Sequence, residues 1–468
     1  ALSSAASDVY KRQGLTVNAA LNGGSGQGAK ATLGNSVKGS TSISLYGGSS
    51  NGAVALDRAV NHAYLDGVAL TGGGAVAVRA NGSSYALVEV EEPTVDVGLA
   101  SVGVNVTVAR ADGDFSAHIL TAAGRTVQAA AVTVENEYQS YAFAESRQPS
   151  VGVGAATADV NVAHAEAGTR AYGYIGGSGT LTATGDVLVE VAGTAQAIAE
   201  VLGTQISVAG ATIAANAATA VVSADQQAFI GDAQGAAATA SGVSVTSLTG
   251  SVTVRSSFNQ GAGTPGAAAT VGSNYSTGGV QVTLVDVKSS TALARMEATA
   301  GAHIRTLGSI AAAQALTVSL SAGSNAVADI WTPEVSVNAV NVTVLVSDAE
   351  AKGAFHAFVE AADVQAGSAT VLNDYSSYAH AATGSAGGVG VNLANTDANV
   401  ANASAATTAE AYFRTPGSAV INGALTVRAD GSVNAFAEGR SRQVNVGGVR
   451  VAVNVVDAAL AAEQRAFI

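Results

Sequence analysis

Five carboxylates, Glu89, Glu145, Glu200, Asp329 and Glu438, recur at one column of the chain, interrupted by Asn274 and Thr383. Stacked carboxylates repel unless something neutralises them, so this column is a candidate ladder of cation sites. Ca²⁺, however, takes about six to eight oxygens, and one carboxylate per repeat supplies few. The plainer reading is a solvated strand end whose charges discourage edge pairing. The calcium-binding Gly-Gly-x-Gly-x-Asp repeat is not present. We expect no metal site, no cofactor and no catalytic residue.

A second column holds aromatic rings and His: Tyr64, His118, Tyr174, Phe229, His303, Phe358, Tyr412 and Phe467. Its parity is opposite to that of the neighbouring aliphatic columns, which makes it a candidate exposed stripe for glycans or apolar surfaces. The other reading has the rings covering an Ala-rich groove or supporting a loop. His118 and His303 stand where Tyr stands elsewhere, and His62 and His356 share a column two positions earlier, so both pairs follow the repeat phase rather than a metal cluster. A third column is Asn51, Asn105, Asn161, Asn216, Asn399 and Asn454, with Ser290 and Leu345 as exceptions. Amides stacked along an axis can hydrogen-bond as a ladder. Asn also tolerates left-handed backbone, and the apolar residues shift parity around it, which predicts a bend there. Gly48–Gly52 fits Gly-x-Ser-x-Gly, but no strand-to-helix elbow follows. Asn81, Asn105, Asn274, Asn341 and Asn402 match the short glycosylation sequon and nothing more.

What must position these columns is a repeat of about 55 residues. Its starts are Thr41, Val95, Val151, Ile206, Val280, Val335, Val389 and Val444, with gaps of 54, 56, 55, 74, 55, 54 and 55. Fourteen residues after each start stands Ala55, Ala109, Ala165, Ala220, Ala294, Ala349, Ala403 or Ala458. Ala or Gly follows at position 22 and an aliphatic residue or Phe at position 24, as in Ala228 and Ile230. Shared parity puts all three on one buried face of a strand. A second apolar strand precedes most starts, as in Val187-Leu188-Val189 and Leu425-Thr426-Val427.

Composition agrees. The chain is 48% hydrophobic but only 5% aromatic and 12% charged, with 55 Gly, 5 Pro, one Met and no Cys. Ala and Val make thin layers, and a positive mean hydropathy of +0.31 argues against disorder. No run reaches the roughly 18 apolar residues of a membrane helix, so we expect no membrane insertion in this segment. A net charge of −13 argues against nucleic acid as a partner. The absence of Cys excludes disulfides and thiolate chemistry.

Residues 1–13 differ from the rest and resemble translated adapter read-through at the end of an environmental reading frame. The chain is read as a fragment of something longer. Residues 14–40 read as a partial repeat, and 41–468 as seven repeats plus a truncated eighth from 444. Residues 233–279 carry the insertions of the 206–279 repeat. Period-2 alternation with Gly and Asn turns predicts an all-β, repetitive β-solenoid, parallel β-helix-like, with identical positions stacked. Strand lengths favour two to three small coils per repeat and a rod of about 70–100 Å. One large flattened coil per repeat is the alternative, and an antiparallel sandwich a further one.

Units such as Val449-Arg-Val-Ala-Val-Asn-Val-Val-Asp457 ending in Arg465-Ala-Phe-Ile468, or Ala228-Phe229-Ile230-Gly231-Asp232, resemble the repeats of leukotoxin-like filamentous surface proteins. These belong with the large haemagglutinin-type exoproteins of diderm bacteria. The resemblance spans about residues 41–468 and implies an extracellular or outer-surface adhesive rod without catalytic residues. Its secretion domain and anchor have no counterpart here. The expected function is a structural and adhesive rod that presents a binding surface to host or neighbouring-cell glycans or proteins, with self-association as a further property. The alternatives are a polysaccharide-active β-helix enzyme, or a binding module that uses the 233–279 insertion.

Overall fold

The computed structural model describes residues 14–468 apart from 22–27, 35–39, 92–93, 148–149, 204, 236–240, 261–264, 273–278 and 333. Among the described residues all regular structure is β-strand, in one sheet whose pairings are parallel. None of them forms a helix able to cross a membrane. Thr41 pairs with Val95, Val95 with Val151, and Val151 with Ile206. Asn51, Asn105, Asn161, Asn216 and Ser290 follow one another in the same way. Every position thus lies beside its counterpart one repeat on, which makes the chain a parallel β-solenoid.

The number of coils per repeat differs from the favoured expectation. Because the hydrogen-bonded partner is a whole repeat away, each repeat makes one large coil. Eight coils stacked at about 4.8 Å give a body about 40 Å deep, not a rod of 70–100 Å. The small coils fail because strands here run far beyond ordinary length. Each coil opens with an arm of 27 or 28 residues, as in Ser40–Asp66, Thr94–Thr121, Ser150–Gly177 and Gln205–Gly231. A short strand such as Thr126–Ala129 or Thr180–Ala183 turns the corner. A 16-residue arm returns, as in Val76–Glu91, Val132–Arg147 and Val187–Leu202. Gly177 and Gly231 close the long arm at φ +96° and +103°, where an added Cβ would lie 2.0 and 1.8 Å from a carbonyl of the adjacent coil. Later coils run their arms together, as in Glu334–Arg414.

The core is the thin space between the long and return arms. Ala109, Ala165, Ala220 and Ala349 of the long arms and Val134, Val189 and Val371 of the return arms line it, all fully buried. A methyl column lets the two layers approach, and the few large rings fill places where Gly makes room. Residues 14–34 supply an additional return arm, Leu15–Leu21 and Ala29–Gly34, paired with Val76–Glu91. The return arm of the 74-residue repeat is broken into Val252–Phe258 and Ala267–Val271 after Asn259, at φ +44°. Much of the inserted length lies outside the described residues.

The bend also sits elsewhere than expected. Pairing skips Leu99 beside Ala155, and Ala155 beside Gly210, so the corner falls four residues after each start. Asn105 and Asn161 occupy continuous strand, and among the described residues Asn259 alone of the non-glycines has positive φ. The corner folds the first ten residues of each coil into a tight arch. Its two inner walls nearly touch: Ser207 Oγ lies 3.0 Å from Thr212 Oγ1, and a Cβ on Gly152 would meet Thr157 Cγ2 at 3.0 Å. Branched aliphatics do not fit such a gap. The inside is therefore Ser207, Thr212, Asn338, Asn341 and Asn395, all buried, while Val208, Ile213, Val337 and Val340 face outwards.

Candidate functional site

The ring column becomes a continuous stack. Successive centroids from Tyr64 through His118, Tyr174, Phe229, His303, Phe358 and Tyr412 to Phe467 lie 4.6–5.4 Å apart, with planes within 16° of parallel. In-register coils about 4.8 Å apart set this spacing. Each ring face is spent on its neighbours, so only edges remain for a ligand. Tyr64 and Phe467 are exposed at the two ends, whereas Phe229, His303 and Phe358 are buried. Over the centre lies the chain that follows Gly231. His303 Nε2 is 3.0 Å from the Asp232 carbonyl, the Ser241 N–H donates to the Asp232 carboxylate, and Ser241 Oγ donates to the Gly177 carbonyl. Burial pushes the His303 imidazole down to about 3, and burial with the nearby His62 lowers His118. Neutral rings are what a close stack requires.

The Asn column forms the ladder. Asn51 Nδ2 donates to Asn105 Oδ1 (3.0 Å), Asn105 to Asn161 (3.1 Å), Asn161 to Asn216 (3.0 Å) and Asn399 to Asn454 (2.8 Å). Asn341 donates likewise to Asn395, on a second rail inside the arch.

In the carboxylate column Glu89, Glu145 and Glu200 lie side by side. The interruptions are Thr270 and Ala382, not Asn274 and Thr383: the insertions of the 206–279 repeat move the first, and a one-residue bulge between Ser385 and Gly388 moves the second. Asn274 falls outside the described residues. Basic side chains stand beside these acids: Lys30 is 3.9 Å from Glu89, Arg147 bonds Glu145, the His380 ring is 3.6 Å from Asp329, and Arg440 bonds Glu438. Burial and the Glu145 carboxylate raise Glu200 above the usual range. Among the described residues no three Asp, Glu, His or Cys side chains come together as a metal site.

The feature missed in the sequence is a groove of about 1370 Å³ along the stack, lined by all eight coils. It follows the residues 17 to 19 places after each start. Ala59, Gly113, Ala224, Ala298 and Gly353 make its floor; Arg58, Asp112, Asp114, Arg170, Asp225, Glu297 and Lys352 stand on its rims. Several of these charges are paired, within a coil and across to the next. Arg110 meets Asp112 at 2.9 Å and Glu166 at 3.4 Å, while Lys352 meets Glu350 at 2.7 Å and Glu297 at 3.6 Å. His62 is 3.5 Å from Asp114, and Asp225 accepts from Gln227 and Tyr172. Reading these two columns for charge, rather than for residue identity, would have found the groove.

The remaining motifs are absorbed by the strands. Gly48–Gly52 is strand throughout, and Asn105 and Asn341 are buried, so neither amide is open to glycosylation in the fold. Comparison with protein-family models, with curated proteins and with solved structures returns no match.

Proposed function

We propose that this chain is a structural and adhesive section of a bacterial surface or secreted exoprotein, with the axial groove as its contact face. The observation that carries this reading is the groove's continuity over eight coils. A cleft that repeats the same small floor and polar rim at every step suits an extended polymer better than a compact ligand. A linear surface glycan fits that description, with rim Arg, Lys, Asp and Thr groups as its hydrogen-bonding partners. The ladders and thin core supply stiffness without disulfides. Hydrolysis is the second reading, and it calls for two free carboxylates facing one bond. Asp112, Asp114, Asp225 and Glu297 are instead engaged by Arg110, His62, Tyr172 with Gln227, and Lys352.

The test is binding of the immobilised chain to an array of linear polysaccharides and to intact cells, with Arg170→Glu/Lys352→Glu as the control. Saturable binding that the double variant loses while keeping its strand circular dichroism supports the reading. Equal binding by both proteins, or product release from a bound polysaccharide, sinks it.

A further inference from the structure

The arch carries an apolar ridge that no part of the described chain covers. On coils two to seven its outward side chains are Val97, Leu99 and Val102; Val153; Ile206, Val208 and Ile213; Val282, Leu284, Val285 and Val287; Val335, Val337 and Val340; and Val391 and Leu393. Each is between 37% and 72% exposed. All of these coils have a neighbour on both sides along the axis, so this is not the end exposure that Val451 and Leu460 show on the last coil. Nor is it scattered surface. The pattern is inverted at every step, with Ser, Thr, Asn and Asp inside the arch and aliphatics outside, and the tightness of the arch explains only the inside. Thr or Lys outside would keep the arch intact, yet the positions 0, 2, 4, 5 and 7 places after every start, apolar or not, hold no Asp, Glu, Lys or Arg in a chain with 55 charged residues.

We infer that this ridge is an interface with a second copy of this chain, arch packed on arch. Three observations select that partner. The face is uncharged, so it fits an equally uncharged surface. Its rows recur at the coil spacing, and a second copy presents β-branched rows at the same spacing, which lets two ridges interlock along their whole length as in dry sheet-on-sheet contacts. Its area is also sufficient. The wall that carries Ile206, Val208, Val335 and Val337, with their counterparts on the other coils and the apex residues Leu99, Leu284 and Leu393, offers on the order of 800 Å² on one side, matching the roughly 800 Å² per partner that a specific interface buries. A lone protein rarely exposes a continuous patch above a few hundred Å². The inference does not depend on what the groove binds.

The experiment is sedimentation velocity of the full chain from low to high micromolar concentration, beside Val208→Lys/Val337→Lys. Both positions point away from the arch interior, so unchanged circular dichroism and melting show that the fold is kept. The expected result is a dimer that the double variant weakens by roughly a hundredfold, since each Lys would bury a charge in an apolar contact. A Val337→Cys variant reads the same contact without adding charge, because the parent chain has no Cys. A disulfide-linked dimer on mild oxidation is expected. A monomer at every concentration with no cross-link overturns the inference, and so does a dimer indifferent to both Lys substitutions. Co-flotation of a monomeric chain with phosphatidylcholine vesicles, lost in the Lys variant, would assign the ridge to lipid and overturn it as well.

Discussion

Tyr138 of one return arm fits the notch left by Gly193 in the next: a Cβ on Gly193 would lie 2.2 Å from the ring. The ring also stacks on Phe115 at 5.5 Å, and its hydroxyl donates to Gln226 Oε1 at 2.7 Å. One side chain therefore ties three coils together. Gly431 stands over Tyr375 in the same way, and Tyr375 reaches Gln464.

Gly193→Ala should cost about 1–3 kcal/mol, the usual range for overpacking a filled core. Tyr138→Leu costs stability alone but should tolerate Gly193→Ala better than the parent does. A double-mutant cycle by urea unfolding measures the coupling. Additive effects would separate the two residues.

His303 makes folding sensitive to acid. Its folded value is lowered, so the unfolded chain takes up a proton that the folded chain refuses. Stability is fully present above 6.5 and falls as pH drops from 6.5 towards about 3. The slope from one such proton is about 1.4 kcal/mol per pH unit. His303→Phe keeps the stack and removes that slope. Thermal melts at pH 7 and pH 4.5 should show the variant gaining on the parent as pH falls.

Glu200 has the opposite sign. Burial and Glu145 raise its carboxyl, so the ionised form is disfavoured in the fold and stability is lost as pH rises through the carboxylate range. Glu200→Gln should raise the melting temperature at pH 7 and leave it unchanged near pH 3.

Removing a middle rung of the ladder should cost more than removing an exposed one. Asn161→Ala strands the Asn105 amide and the Asn216 carbonyl, one of them nearly fully buried, at about 1–3 kcal/mol. Asn399→Ala breaks a solvent-exposed pair and should cost under about 1 kcal/mol. Chemical unfolding midpoints of the two variants decide the order.

The columns were legible in the sequence because in-register stacking writes the structure into the repeat itself. Ala109, Ala165 and Ala220 align in the chain for the same reason that they touch in space. The coil size was not legible, because nothing in a strand pattern tells a long bent strand from two short ones. The corner is not legible there, because Asn105 is the salient residue of its segment, whereas the true corner residues, Leu99, Ala155 and Gly210, share no identity. A corner defined by a skipped pairing needs room, not a residue type. The groove is hidden for a related reason: Arg58, Asp112, Glu297 and Lys352 hold one place with different charges, so the column has no shared residue.

Since each coil meets its neighbours through the same positions, the fold is indifferent to how many coils there are. Cutting out residues 151–205 would set the coil of Val95 against that of Ile206, Asn105 on Asn216 and His118 on Phe229, with the ladder and the ring stack preserved and only local fits such as Tyr138 in the notch of Gly193 lost, Tyr138 then meeting Phe258. Length in this architecture is thus a digital quantity, counted in whole turns of about 4.8 Å. Unequal recombination between coil-encoding stretches of the gene would yield shorter or longer proteins that keep the ladders in register, whereas a loss of half a coil would leave both ladders out of step.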